Sequence, residues 1–150
     1  MKTQFTLLFI LISLSFSTIL NVNGEEYTTI QSAIDDAEQT DTVLVYQGLY
    51  YENIDITKTI TLSSLAIYDN LDTWYEYDPV SAQYEINNEN ILNTIIDASS
   101  PLDSNFTSGI VVRSPEDDCI APVIMGFTIR GGMGTMVTED TEEGEVDRMI

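Results

Sequence analysis

The chain has no histidine, one cysteine, one tryptophan, four prolines and only five lysines and arginines in 150 residues. Each shortage excludes a class of function. Without histidine there is no Ser-His-Asp triad, no imidazole general base and no His-containing zinc site. One cysteine cannot close an internal disulfide, so packing and backbone ladders must hold the fold. The few cations face 25 acids, for a formal net charge of −20. A nucleic-acid partner is not expected, because phosphate binding needs clustered Lys and Arg. The same charge disfavours polyanions such as pectate unless metal ions bridge.

Apolar residues, by contrast, make up 43% of the chain, too many for wholesale disorder. The first of them read as a secretory signal over residues 1–24. Lys2 supplies a positive start, Phe5 to Leu14 an apolar run, and Val22-Asn23-Gly24 a small-residue cleavage pattern. A cut after Ser17, behind Ser15, fits the same rule. The run Phe5 to Leu20 is short of the roughly 20 residues that span a bilayer. The expected product is residues 25–150, secreted or at the cell surface, with no membrane span after signal removal. Loss of Lys2 makes it one unit more negative than the full chain. At this length one domain buries roughly two-thirds of its unfolded surface.

The clearest periodic signal is a helix over 28–38, where Ile30, Ala33, Ile34 and Ala37 recur at i, i+3, i+4, i+7. Thr28 or Thr29 can cap it. Asp35, Asp36 and Glu38 sit late in it, against the helix dipole. It is too short to persist alone, so its stripe must dock on something. Beyond residue 40 the pattern predicts short strands rich in Ile, Val and Thr: Thr42–Tyr46, Asn53–Ile56, Thr59–Leu62, Thr94–Asp97, Gly109–Val112 and Pro122–Ile129, with Gln47-Gly48 as a turn. No helical pattern separates them, which argues against alternating βαβ units. An antiparallel sandwich and a parallel β-helix both fit. The lack of Asn-Gly and Asp-Gly hairpin signals, and a helix placed to cover a first exposed edge, favour the coil weakly.

Particular motifs point the same way. Tyr27-Thr28-Thr29-Ile30-Gln31-Ser32-Ala33-Ile34, then Asp41-Thr42-Val43-Leu44-Val45, Gly48-Leu49-Tyr50-Tyr51-Glu52-Asn53-Ile54 and Lys58-Thr59-Ile60-Thr61-Leu62 resemble the opening of pectin-lyase-like superfamily proteins. Gly126-Phe127-Thr128-Ile129-Arg130-Gly131-Gly132 resembles a later repeat of the same proteins. The resemblance covers about residues 27–64 and 94–134. It implies an all-β right-handed parallel β-helix with a short N-terminal capping helix. Thr40 stands where the family has Gly, and Gln47 where it has Pro. The resemblance brings no catalytic set: the paired Asp and the Arg of pectinesterases have no counterpart here. The chain stops where another strand would begin, so residues 25–150 are expected to be the N-terminal portion of a longer domain.

Candidate chemistry is sparse. Residues 65–92 interrupt the strands and carry Trp74, Tyr75, Tyr77 and Tyr84 beside Asp69, Asp72, Glu76 and Asp78. Trp74, Tyr75, Tyr77 and Asp78 are the candidate carbohydrate-contacting residues, aromatics stacking on sugar faces and carboxylates meeting hydroxyls. The competing reading is an excursion that packs its aromatics on the flank of the fold. Glu116, Asp117 and Asp118 are the candidate calcium ligands, although no EF-hand loop surrounds them. Cys119, between Asp118 and Ile120, is expected to be a buried structural thiol, since no cation or base would activate it. Gly131-Gly132-Met133-Gly134 reads as a turn, and the acidic stretch Glu139–Asp147 as a loop. Asn105-Phe106-Thr107 is a glycosylation sequon, meaningful only in a eukaryotic secretory route. Two functional readings follow. One is a non-catalytic secreted or cell-surface module that presents loops to extracellular polysaccharide or cell-surface glycan. The other is the leading segment of a carbohydrate-active enzyme, lyase or pectinesterase-like, with its catalytic residues downstream. A structural stalk is a third.

Overall fold

The computed structural model describes residues 16–115, 118–141 and 144–149. The chain opens with β1 (Ile19–Val22), helix α1 (Ile30–Asp36), β2 (Thr42–Val45), β3 (Gly48–Tyr50), β4 (Ile54–Ile56) and β5 (Thr61–Ser64). Two 3₁₀ turns, Leu65–Tyr68 and Leu71–Thr73, lead into β6 (Tyr75–Asp78) and β7 (Gln83–Ile86). Helix α2 (Glu89–Leu92) precedes β8 (Thr94–Asp97), β9 (Ile110–Val112), β10 (Val123–Met125) and β11 (Thr128–Arg130). A last pair, β12 (Met136–Thr141) and β13 (Gly144–Met149), follows.

Three of the sheets are parallel. The largest has the order β1-β2-β5-β10, with Leu20, Val43, Leu62 and Ile124 in register. The second is β11-β8-β3 and the third β4-β9. The chain adds β2, β3 and β4 to these sheets in turn and returns to the first with β5; β8, β9 and β10 visit the second, third and first. Strands so short cannot bury a core singly, so each sheet turns its apolar side chains to a shared interior. Val22, Val43, Val45, Ile54, Ile56, Leu62 and Ile96 are all fully buried there. Tyr50 lies at its margin, where burial and the nearby Glu52 charge raise the phenol pKa.

α1 forms where the periodicity placed it, and its apolar stripe docks as required: Ile30, Ala33 and Ile34 belong to the same buried cluster. Thr29 is the N-cap and accepts from the Ser32 amide. Both helix ends are then completed from far along the chain. The Glu52 carboxylate accepts from the Ile30 and Gln31 amides, each at 2.9 Å. Lys58 Nζ donates to the carbonyls of Ile34, Asp35 and Ala37 at 3.0, 2.7 and 2.7 Å. A negative group at the N-terminus and a positive one at the C-terminus both suit the dipole. Lys58 thereby offsets the poorly placed Asp35 and Asp36.

Several expectations are corrected. The expected all-β right-handed parallel β-helix is overturned: the fold is mixed, with several short parallel and antiparallel sheets and 15% helix. Neighbouring strands run in opposite directions in β6–β7 and in β12–β13. Helical structure also continues past residue 40, in α2 and the two 3₁₀ turns. These segments are too short to show a 3.6-residue apolar period, and local caps (Ser64, Asn70 and Asn88) form them instead. Gln47-Gly48 is not simply a turn, because Gly48 opens β3 and pairs with Thr94. The segment 122–129 is two strands, broken at Gly126 with φ +81°. A Cβ there would lie 2.5 Å from Ser64 Oγ, so both the turn and the close approach require glycine. The acidic tail pairs as β12–β13 instead of forming a loop, because ladder bonds use the main chain whatever the side-chain charge. Cys119 is exposed rather than buried, in residues 118–122, which join no strand and end at Pro122, a residue that can donate no ladder bond.

Of the 1–24 segment, residues 1–15 lie outside the described residues, while Ile19–Val22 form β1. No helix among the described residues is long and apolar enough to cross a membrane.

Candidate functional site

The excursion between β5 and β8 is closed at its base by a clasp. Asp69 accepts from the side-chain amides of Asn88 and Asn90, both at 2.8 Å. Those two bonds stabilise the carboxylate and hold its pKa below the ordinary value. One step further out, the Asn87 amide donates to the Trp74 carbonyl at 3.1 Å. From this base β6 and β7 project as a two-stranded antiparallel ribbon.

The pairing register sorts the ribbon's side chains. Tyr75 lies opposite Ile86 and Tyr77 opposite Tyr84, so these four share one face. Glu76 opposite Glu85, and Asp78 opposite Gln83, share the other. Tyr75 and Tyr84 meet edge to face, with ring centroids 5.4 Å apart at 89°; Tyr77 and Tyr84 are 5.2 Å apart. Tyr75 and Tyr77 are each 50% exposed, Tyr84 69% and Ile86 46%. Each of the three tyrosines thus leaves at least half of its surface in solvent. They make a small apolar platform open to solvent.

The four candidate contact residues have different fates. Tyr75 and Tyr77 come together on the platform. Trp74 ends the second 3₁₀ turn, half-buried at the ribbon base, and its indole N–H is shielded, with no acceptor among the described residues. Asp78 faces away from the rings. Its oxygens accept from the Val80 and Ser81 amides at 2.9 and 3.1 Å. Bonds from the Ser81 side chain and from these amides hold its pKa down. Asp78 is thus the residue that shapes the turn. Tyr84 is the partner that completes the platform. Its Tyr-x-Ile spacing mirrors Tyr75-x-Tyr77, but only the strand register shows that the two segments face each other.

Of the candidate calcium ligands, Glu116 and Asp117 lie outside the described residues. Asp118 is exposed, and its amide donates to the Pro115 carbonyl at 3.2 Å. Among the described residues no three His, Cys, Asp or Glu side chains gather as a metal site.

A concavity of about 940 Å³ lies beside β4 and includes Tyr51, Glu52, Asn53, Asp55, Phe106 and Arg113 in its lining. Its polar groups are mostly committed to structure. Glu52 holds the α1 N-terminus, Asn53 donates to the Ser108 carbonyl at 2.8 Å, and Arg113 pairs with Asp55 through both Nε and a terminal nitrogen. That pairing raises the Arg113 pKa further. The groove offers stacking surface and hydrogen bonds. No protein-family model, curated protein or solved structure matches this chain.

Proposed function

We propose that the protein is an exported binding module whose β6–β7 ribbon contacts extracellular polysaccharide. The observation that carries this reading is the solvent-open platform of Tyr75, Tyr77 and Tyr84, held in mutual ring contact at the end of an anchored ribbon. Exposed apolar patches of this kind mark contact surfaces. Tyrosines suit one face of a sugar ring, with an apolar ring for C–H groups and a hydroxyl for polar neighbours. The surrounding charge sets the ligand class. Glu76, Glu85 and the net charge of −20 repel acidic glycans, so the ligand is a neutral polysaccharide.

Titration calorimetry against neutral polysaccharides tests this. Tyr77→Ala and Tyr84→Ala are expected to weaken binding by about tenfold each, roughly 1.4 kcal/mol, with unchanged circular dichroism. Binding that neither substitution alters would defeat the proposal, as would no heat with any neutral glycan. A second reading, the leading segment of a carbohydrate-active enzyme, draws on the groove beside β4, whose volume lies within the range of ligand pockets. Binding lost on Tyr51→Ala but kept in Tyr77→Ala would favour it.

A further inference from the structure

Removal of an export signal takes one cut, and the two cuts that fit the sequence, after Ser17 and after Gly24, fall on opposite sides of β1. They have opposite consequences. Leu20 is 7% exposed and Val22 is fully buried, both within the main apolar cluster. The Val22 carbonyl accepts from the Tyr46 amide at 3.0 Å, and the Asn21 carbonyl from the Tyr27 amide at 3.2 Å. A cut after Gly24 removes these core side chains and bares the edge of β2. A cut after Ser17 keeps all of them. The Thr18 carbonyl accepts from the Thr42 amide at 2.9 Å, so that cut falls just before the first ladder bond.

The Thr18 nitrogen itself lies 2.7 Å from Asp41 Oδ1. Asp41 is only 5% exposed, and its other oxygen accepts from the Glu38 amide at 2.9 Å. Among the described residues its hydrogen-bond partners are these two amides, and a nearly buried carboxylate with no cation beside it is costly. We propose that the chain is processed between Ser17 and Thr18, and that the amine so released becomes the ionic partner of Asp41.

The step is a hydrolysis by an export-pathway peptidase. The Ser17 C–Thr18 N amide breaks, one water is consumed, Ser17 leaves as a carboxylate and Thr18 keeps its nitrogen as an ammonium. Ser15 and Ser17 supply the small side chains such enzymes select, and Ser17 and Thr18 are both exposed. An amide donor to Asp41 thereby becomes a charge-assisted one, stronger by its charge. The proposal rests on the exported reading above.

The test expresses the full chain in an exporting host and reads the recovered protein by intact mass and N-terminal sequencing. The expected start is Thr-Ile-Leu-Asn-Val. An exported chain beginning at Glu25, or still carrying Met1, overturns the processing site and leaves the exported reading standing. A chain retained inside the cell with Met1 intact overturns both. The ion pair is read separately, from the titration of the Thr18 α-amine in the native protein and in urea. Its pKa is expected to stand about one unit higher in the native state. Equal values would overturn the pairing.

Discussion

Thr40 has φ 74°, a left-handed conformation that a β-branched residue adopts only under strain. Its amide is nevertheless committed to the Thr59 carbonyl at 2.7 Å, so the surrounding ladders hold it there. Thr40→Gly removes the Cβ clash at some entropic cost and is expected to stabilise the protein by about 1 kcal/mol. A higher urea midpoint with an unchanged slope would show it; a lower midpoint would refute the strain argument. Asp97 provides a pH-dependent case. It is 6% exposed and accepts from the Ser99 amide at 3.0 Å and from Arg130 Nε at 2.7 Å. Hydrogen bonds from Ser99, and then from Arg130, hold its pKa below the ordinary carboxylate value. Its contribution to stability is therefore present above about pH 4, the unfolded value, and disappears as pH falls through the lower folded value. The stability gap between the natural protein and Asp97→Asn should be widest near neutrality and close in acid. A gap that widens in acid would contradict this.

At the scale of elements, α1 and the β6–β7 ribbon make a contrast. α1 is stabilised by tertiary partners at both ends, Glu52 and Lys58, and by a buried stripe. The ribbon is held by its clasp and its own cross-strand pairs, and two isolated strands are marginal in water. It also carries a liability, with Glu76 directly opposite Glu85. Glu76→Lys converts a repulsive pair into an attractive one, a change of roughly 0.5 kcal/mol. Amide exchange across residues 75–86 should slow a few-fold while exchange in β2 and β5 stays constant. Unchanged exchange in the ribbon would mean that the clasp alone determines its stability.

Over the whole molecule, 25 acids against five cations make self-repulsion the dominant long-range term. The ion pairs Arg113–Asp55 and Arg130–Asp97 each involve an Arg that is more than half exposed, so screening them costs little. Raising NaCl from about 10 mM to about 0.5 M shortens the Debye length from roughly 30 Å to a few ångströms. The melting temperature is expected to rise with salt. A fall would mean that the few ion pairs outweigh the repulsion.

Composition and periodicity alone determined the excluded chemistries, the helix at Ile30–Asp36 and the strands with clear β-branched runs, Thr42–Val45 and Thr94–Asp97 among them. These are local properties: a residue's type, a spacing of 3.6 or 2, a capping threonine. Tertiary structure decided what depends on which segments meet. It placed Leu20 and Val22 in the core although they sit within a leader-like segment, and made Gly48 a strand residue by pairing it with Thr94. It paired β12 with β13 in the acidic tail and left Cys119 in solvent. It also split the candidate site, gathering Tyr75, Tyr77 and Tyr84 on one face while turning Asp78 to the other. The reason is the period of two along a strand: each side chain's face depends on the partner's register, which no single segment of sequence contains.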